Sequence, residues 1–365
     1  MTLSYARFAQ FFLLVASACF FGPSYSQNLQ PAYGLPDDFP PMFDQADKGM
    51  GEDIKKISVG GMEDQRTTRQ NISKAPVILI HGNLGSALHP KYGWSDFIRH
   101  LYEAGYTKAE VWAVSYLGYT EATPDWLRYM NMAANYNANI NEIRDFIDKV
   151  RDYTGCDKID LIGHSLGGGE ARGYLYGLDT SDVINPTLSR FDNVGTLVTI
   201  AAGNYGLGPL AFTGAFSSEW ADTHFNENPE PTPAGHAVAA QLITDAQGKR
   251  YKEYDDWKEE TKNDTAKMRY VAIISDGDAV DMLGGTDRVS RLEGANLNYI
   301  YKSGKDPAEA HLEAIKDREI INVLAGDKVI TGGYLNAEGC EPTGATTYSI
   351  PPGSKMPIRS VEPQE

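Results

Sequence analysis

Short apolar runs and amphipathic stretches take turns along the middle of this chain. Pro76-Val77-Ile78-Leu79-Ile80 is wholly apolar, the composition of a strand buried on both faces. Trp94, Phe97, Ile98 and Leu101 fall at i, i+3, i+4 and i+7, which predicts a helix. The runs Glu110 to Tyr116, Lys158 to Ile162, Thr196 to Ala201, Met268 to Ile274 and Leu297 to Tyr301 predict further strands. Ile140, Ile143, Phe146, Ile147 and Val150 mark a second helix that stops near Gly155. Ala171, Tyr174, Leu175 and Leu178 mark a third. A fourth should run from Asp317 to Leu324, capped by Asp317 and stopped by Gly326. Alternation at this spacing predicts an α/β fold, a mostly parallel sheet with helices on both faces.

Several stretches break the rhythm. Arg7 precedes an apolar run from Phe8 to Phe21, and Ser24-Tyr25-Ser26 follows it. That layout predicts a signal peptide, residues 1–26, and a secreted (extracellular or periplasmic) protein. Anchoring as a lipoprotein at Cys19 is the weaker alternative. No other run is long and apolar enough to span a membrane. Residues 27–74 are polar and rich in Pro, Asp and Gly, and read as an irregular leading segment. Residues 27–330 would form the catalytic domain. Within it, 203–263 is a long insertion before the predicted strand at 268–274, placed to serve as a lid or pocket segment. Residues 331–365 read as an irregular tail.

Composition narrows the partners. The formal net charge of −16 argues against nucleic acid and against an anionic membrane surface. If the leader is removed, Cys156 and Cys340 remain; in an exported chain they are candidates for a bridge, although sequence does not show the distance between them. No His/Cys cluster has metal-ligand spacing, so no metal or organic cofactor is expected.

The chemistry centres on Gly163-His164-Ser165-Leu166-Gly167. G-x-S-x-G is weak alone, but a predicted strand enters it here and an amphipathic helix leaves it. That is the setting of the nucleophile elbow of an α/β-hydrolase fold. Ser165 is the candidate nucleophile. His81-Gly82-Asn83 directly follows the first apolar strand, so the Asn83 and Leu166 N–H groups are the candidate oxyanion hole. The expected order is Ser, acid, His. After Ser165 come His224, His236 and His311; the first two lie in the insertion, and His311 lies between the last strand and a helix, where the base belongs. His81 and His164 are expected to be structural neighbours of the site. Asp276, Asp278 and Asp281 all follow the penultimate strand, and spacing does not separate them.

These motifs resemble the class 2 lipases, including small bacterial lipases and related extracellular polyhydroxybutyrate depolymerases. The resemblance rests on APVILIHGN, YTGCDKIDLIGHSLGG, YVAIISDGDAV followed by SRLEGAN, and AHLEAI. It implies that the acid ends an S-x-x-D stretch, which makes it Asp278, with Asp281 in reserve. Asn83 resembles the depolymerase side. The insertion 203–263 has no counterpart in the smallest lipases of the group.

The expected activity is therefore cleavage of carboxylic esters, lipase or carboxylesterase, through a Ser165-Asp278-His311 triad and an acyl-enzyme. The alternative substrate is a polyhydroxyalkanoate, and a more remote reading is a non-catalytic binding protein on the same scaffold. The partner would be a lipid or polyester, in solution or at an interface. Tyr116, Tyr119, Trp126, Tyr129 and Met130, with Phe212, Phe216, Trp220 and Phe225, would form either an apolar landing surface or additional core.

Overall fold

The computed structural model describes residues 34–43, 58–83, 85–89, 91–116, 136–178, 185–188, 190–204, 268–278, 280, 290–292, 295–326, 333–335 and 340. The expected leader, all but the first two residues of the 203–263 insertion, most of the 331–365 tail and Asp281 lie outside them, as do Tyr119, Trp126, Tyr129, Met130, Phe212, Phe216, Trp220 and Phe225 of the expected landing surface.

Six strands form one sheet: β1 (Val77–Ile80), β2 (Val111–Val114), β3 (Ile159–His164), β4 (Val194–Ile200), β5 (Arg269–Ser275) and β6 (Leu297–Tyr301). Their order is β2-β1-β3-β4-β5-β6, and every pairing is parallel. The chain starts at β1, steps one way to β2, then returns past β1 and builds β3 to β6 on the other side. The strand order therefore reverses between β1 and β3. Connections leaving those two strands diverge, and a crevice opens at their carboxyl ends.

The four central strands are apolar for a physical reason: helices cover both faces. On one face Ile78, Ile80, Leu161, Leu197 and Ala272 pack with α3 (Tyr136–Thr154) and α4 (Leu166–Tyr176) through Ile143, Phe146, Ile147 and Tyr174. On the other, Val77, Leu79, Ile162, Val198 and Val271 pack with α2 (Ser95–Glu103) and α6 (Arg318–Ile321) through Phe97, Ile98, Leu101 and Ile320. Alternate strand residues thus serve alternate layers, as a pleated strand requires. The architecture is a parallel α/β sheet with helices on both faces, the fold class that the alternation of runs predicts.

Three elements differ from the sequence expectation. The leading segment is structured in part: α1 (Gln65–Gln70) is capped by Asp64, and Val59 forms an antiparallel bridge with Ala113 on edge strand β2. Phe39 and Phe43 pack beside Trp112 and Phe146 in the core. The helix expected from Asp317 to Leu324 is α-helical only through Ile321. It continues over Asn322–Gly326 as a wider π turn. His311, expected ahead of a helix, lies inside a helix of its own, α5 (Pro307–Glu313).

Candidate active site

Ser165 stands between β3 and α4 with φ 55° and ψ −123°. An L-residue reaches that conformation only when its surroundings force it, at a cost of about 1–3 kcal/mol. The forcing contacts are visible. The Ser165 amide donates to the Ile200 carbonyl at 2.9 Å, and Gly168 N–H donates to the Ser165 carbonyl at 3.0 Å. Small residues make the turn possible. A β-carbon at Gly163 would overlap the Gly167 carbonyl, and one at Gly167 would overlap the carbonyl of Ile80. At Gly82 it would come within 2.8 Å of Ser165 Cβ, so the loop after β1 touches the serine directly.

Asn83 follows on that loop, and Leu166 opens α4. The first amides of a helix lack an intrahelical acceptor, and the Leu166 N–H is one of them. His81 is buried here with a defined hydrogen position. Its Nδ1 lies 2.8 Å from the Gly82 carbonyl and Nε2 accepts from the Tyr116 N–H at 3.3 Å, so the hydrogen sits on Nδ1. The ring stacks on Tyr116 at 4.0 Å, and the Tyr116 hydroxyl donates to the His81 carbonyl. Tyr116 is thereby part of the core around this loop and not of an open surface.

Asp278 and His311, the expected acid and base, follow β5 and β6. Asp278 follows β5, is fully buried, and lies with Oδ2 at 2.8 Å from His311 Nδ1. A carboxylate only accepts, so His311 Nδ1 carries the hydrogen and Nε2 is left as a base. Asp276, two residues earlier, is exposed beside Lys302, 3.8 Å away. His224 and His236 lie outside the described residues. The His311 ring lies 4.6 Å from that of His164, the residue preceding Ser165.

His164 is buried, and burial holds its imidazole well below the ordinary histidine range; the neighbouring His311 adds to the effect. It is therefore neutral. Nε2 lies 2.9 Å from the His311 carbonyl, so Nε2 carries its hydrogen. Five residues past Ser165, burial pushes the carboxyl of Glu170 well above its ordinary value. Asn139 Nδ2 donates to Glu170 Oε1 at 2.9 Å. Among the described residues no group of three His, Cys, Asp or Glu could hold a metal ion.

Away from the crevice, Cys156 and Cys340 form a disulfide. Sequence had left this pairing open because 184 positions separate the two.

Residues 74–224 match the class 2 lipase family, a stretch that includes Asn83, Ser165 and Leu166. A Bacillus licheniformis lipase in its mature form is 15% identical, with 67% of this chain and 87% of that chain aligned and a TM-score of 0.38. A Bacillus subtilis carboxylesterase is also 15% identical, over 82% of this chain and 90% of that one, with a TM-score of 0.35.

Proposed function

We propose, from the premise that residues 74–224 carry a class 2 lipase domain, that this chain is an exported carboxylic ester hydrolase. Ser165 is its nucleophile, His311 its general base and Asp278 the acid that orients the base. The observation that carries this reading is the 2.8 Å pairing of His311 Nδ1 with buried Asp278, with the His311 ring 4.6 Å from that of His164, the residue before a serine in a strained strand-to-helix turn.

Ser165 Oγ adds to the ester carbonyl carbon while its proton passes to His311 Nε2. The imidazolium that forms is stabilised by the Asp278 carboxylate. The tetrahedral oxygen accepts from the Asn83 and Leu166 N–H groups; two such fixed donors contribute about 3 kcal/mol or more to lowering the barrier. Collapse expels the alcohol, which takes the proton from His311. Water, activated by the same nitrogen, then cleaves the acyl-enzyme.

The substrate class is a lipid ester. Polyester cleavage is the second reading, favoured by Asn83 at the first oxyanion position. Export is supported by the leader pattern of residues 1–26 and by the disulfide, which persists in oxidising compartments.

The test is hydrolysis of p-nitrophenyl esters of graded acyl length, emulsified triglyceride and amorphous polyhydroxybutyrate by the exported protein. Ser165→Ala should lose at least about 10⁴-fold in kcat. Intact mass after treatment with a fluorophosphonate should show one adduct, absent from Ser165→Ala, on a chain beginning at Gln27. Triglyceride turnover assigns a lipase, and clearing of the polymer assigns a depolymerase. Absence of Ser165-dependent turnover on every ester sinks the proposal.

A further inference from the structure

Two successive carbonyl groups on α5, those of Ala310 and His311, are held by side chains that reach over from the sheet. Ser275, the last residue of β5, donates its hydroxyl to the Ala310 carbonyl at 2.9 Å. His164, the last residue of β3, donates its Nε2–H to the His311 carbonyl at 2.9 Å. Both side chains are buried. Strand β4 lies between β3 and β5, so the two contacts grip the helix from either side of a central strand.

The helix needs them. It has seven residues, too few to hold its place by its own hydrogen bonds. Asp306 caps its start by accepting from the Ala308 and Glu309 N–H groups. At its other end the Ile315 N–H donates to the Leu312 carbonyl at 3.3 Å, and the Lys316 and Asp317 N–H groups donate to that of Glu313 at 2.8 and 3.0 Å. Ala310 receives only a longer contact from Ala314 N–H, at 3.4 Å. The turn that supplies Ser275 also supplies Asp278, whose N–H donates to the Ser275 carbonyl at 3.1 Å. One turn therefore fixes both the Nδ1 side of the base and the main chain that carries it. His164 fixes that same main chain from the strand that delivers Ser165.

We propose that His164 and Ser275 are positioning residues for hydrolysis, a two-point clamp on the backbone of the base that sets the reach of His311 Nε2 towards Ser165. This rests on the esterase reading above. A displacement of the base by about 1 Å costs on the order of 100-fold in rate. A clamp of this kind acts on kcat and leaves substrate binding alone.

Four variants test it: His164→Phe, which keeps the ring volume without the donor; His164→Gln, which retains an N–H at the matching reach; Ser275→Ala; and the double variant His164→Phe/Ser275→Ala. Three readouts are taken on folded protein, verified by near-ultraviolet circular dichroism. These are kcat and KM on a p-nitrophenyl ester, the rate of fluorophosphonate labelling, and the far-downfield proton resonance of the His311 Nδ1–H facing Asp278. His164→Phe should lose about 10- to 100-fold in kcat with KM within about twofold, and should shift or broaden the resonance. His164→Gln should recover to within about threefold of wild type. The double variant should lose less than the product of the single losses, because both contacts act on one segment. A folded His164→Phe with unchanged kcat and resonance overturns the clamp, as does a Gln variant no better than Phe or a loss carried by KM. Should His164→Phe not fold, the Gln and Ser275→Ala variants decide by the same criteria. If wild type shows the resonance but no Ser165-dependent labelling, the esterase reading has failed, and the resonance alone judges the clamp: unchanged in the variants, it is refuted.

Discussion

A β-carbon at Gly167 has no room, because the Ile80 carbonyl of the neighbouring strand occupies its place. On the other side of the serine, a β-carbon at Gly163 would meet the Gly167 carbonyl. Replacing Gly167 with Ala should destabilise the protein by at least about 3 kcal/mol, read as a fall in the urea midpoint, because backbone must move where a flexible side chain could have yielded. This requirement was legible in the sequence: G-x-S-x-G between a strand and a helix states which neighbours must be small. The contacts of His164 and Ser275 were not legible. Each lies close to a motif, yet their partners are 147 and 35 positions away, and nothing in local composition announces a hydrogen bond across that distance. The choice among Asp276, Asp278 and Asp281 was likewise closed to spacing. It needed the family pattern, and the structure sets Asp278 against His311 while Asp276 faces Lys302.

At the scale of elements, the apolar runs translated well because strands covered on both faces have no solvent-facing row to alternate with. VILI at β1 and VWAV at β2 are buried throughout. Helix α5 was harder to see. Its seven residues are too short for a helical period to emerge, although Asp306-Pro307 is a start signal: a capping side chain followed by proline at the first turn. Helix α4 has an unusual burden, since it buries Glu170 with its carboxyl against Asn139. Burial holds its carboxyl well above the ordinary value of 4.5, so the fold keeps this proton to higher pH than the unfolded chain does. Below that value both states carry the proton and the residue has no pH effect. Above it the unfolded state releases a proton that the folded state keeps, so stability falls as pH rises. Glu170→Gln removes this slope. In urea unfolding at about pH 4 and about pH 8, the variant should gain on wild type between the two. Equal differences at both values would show that Glu170 ionises in place.

The whole molecule separates chemistry from reinforcement. Asn83, Ser165, Asp278 and His311, to which the proposed chemistry is assigned, follow the carboxyl ends of β1, β3, β5 and β6. At the opposite end, Thr196 Oγ1 donates to the Tyr334 carbonyl and Arg269 donates to the Gly333 carbonyl, so the tail crosses the starts of β4 and β5. The disulfide then joins Cys340 to Cys156, just before β3. Cysteine count suggested the bridge, but only the path of the tail brings the two within 5.0 Å between Cα atoms. Cys340→Ser should lower the unfolding free energy by up to ~5 kcal/mol, the chain-entropy value for so long a loop, and lower the thermal midpoint with it. Ester turnover at 25 °C should be unchanged, because the bridge sits away from the crevice.

That bridge also changes what kind of object the polypeptide is. Ser165, Asp278 and His311 all lie between Cys156 and Cys340, so the three sit on one covalent ring with two free ends attached at a single knot. A linear chain cut once becomes two molecules. This one, cut once anywhere between 157 and 339, becomes an opened ring that still migrates as one species until the sulfur bond is reduced. A protease must therefore strike twice within the ring before any of the three residues can leave the others.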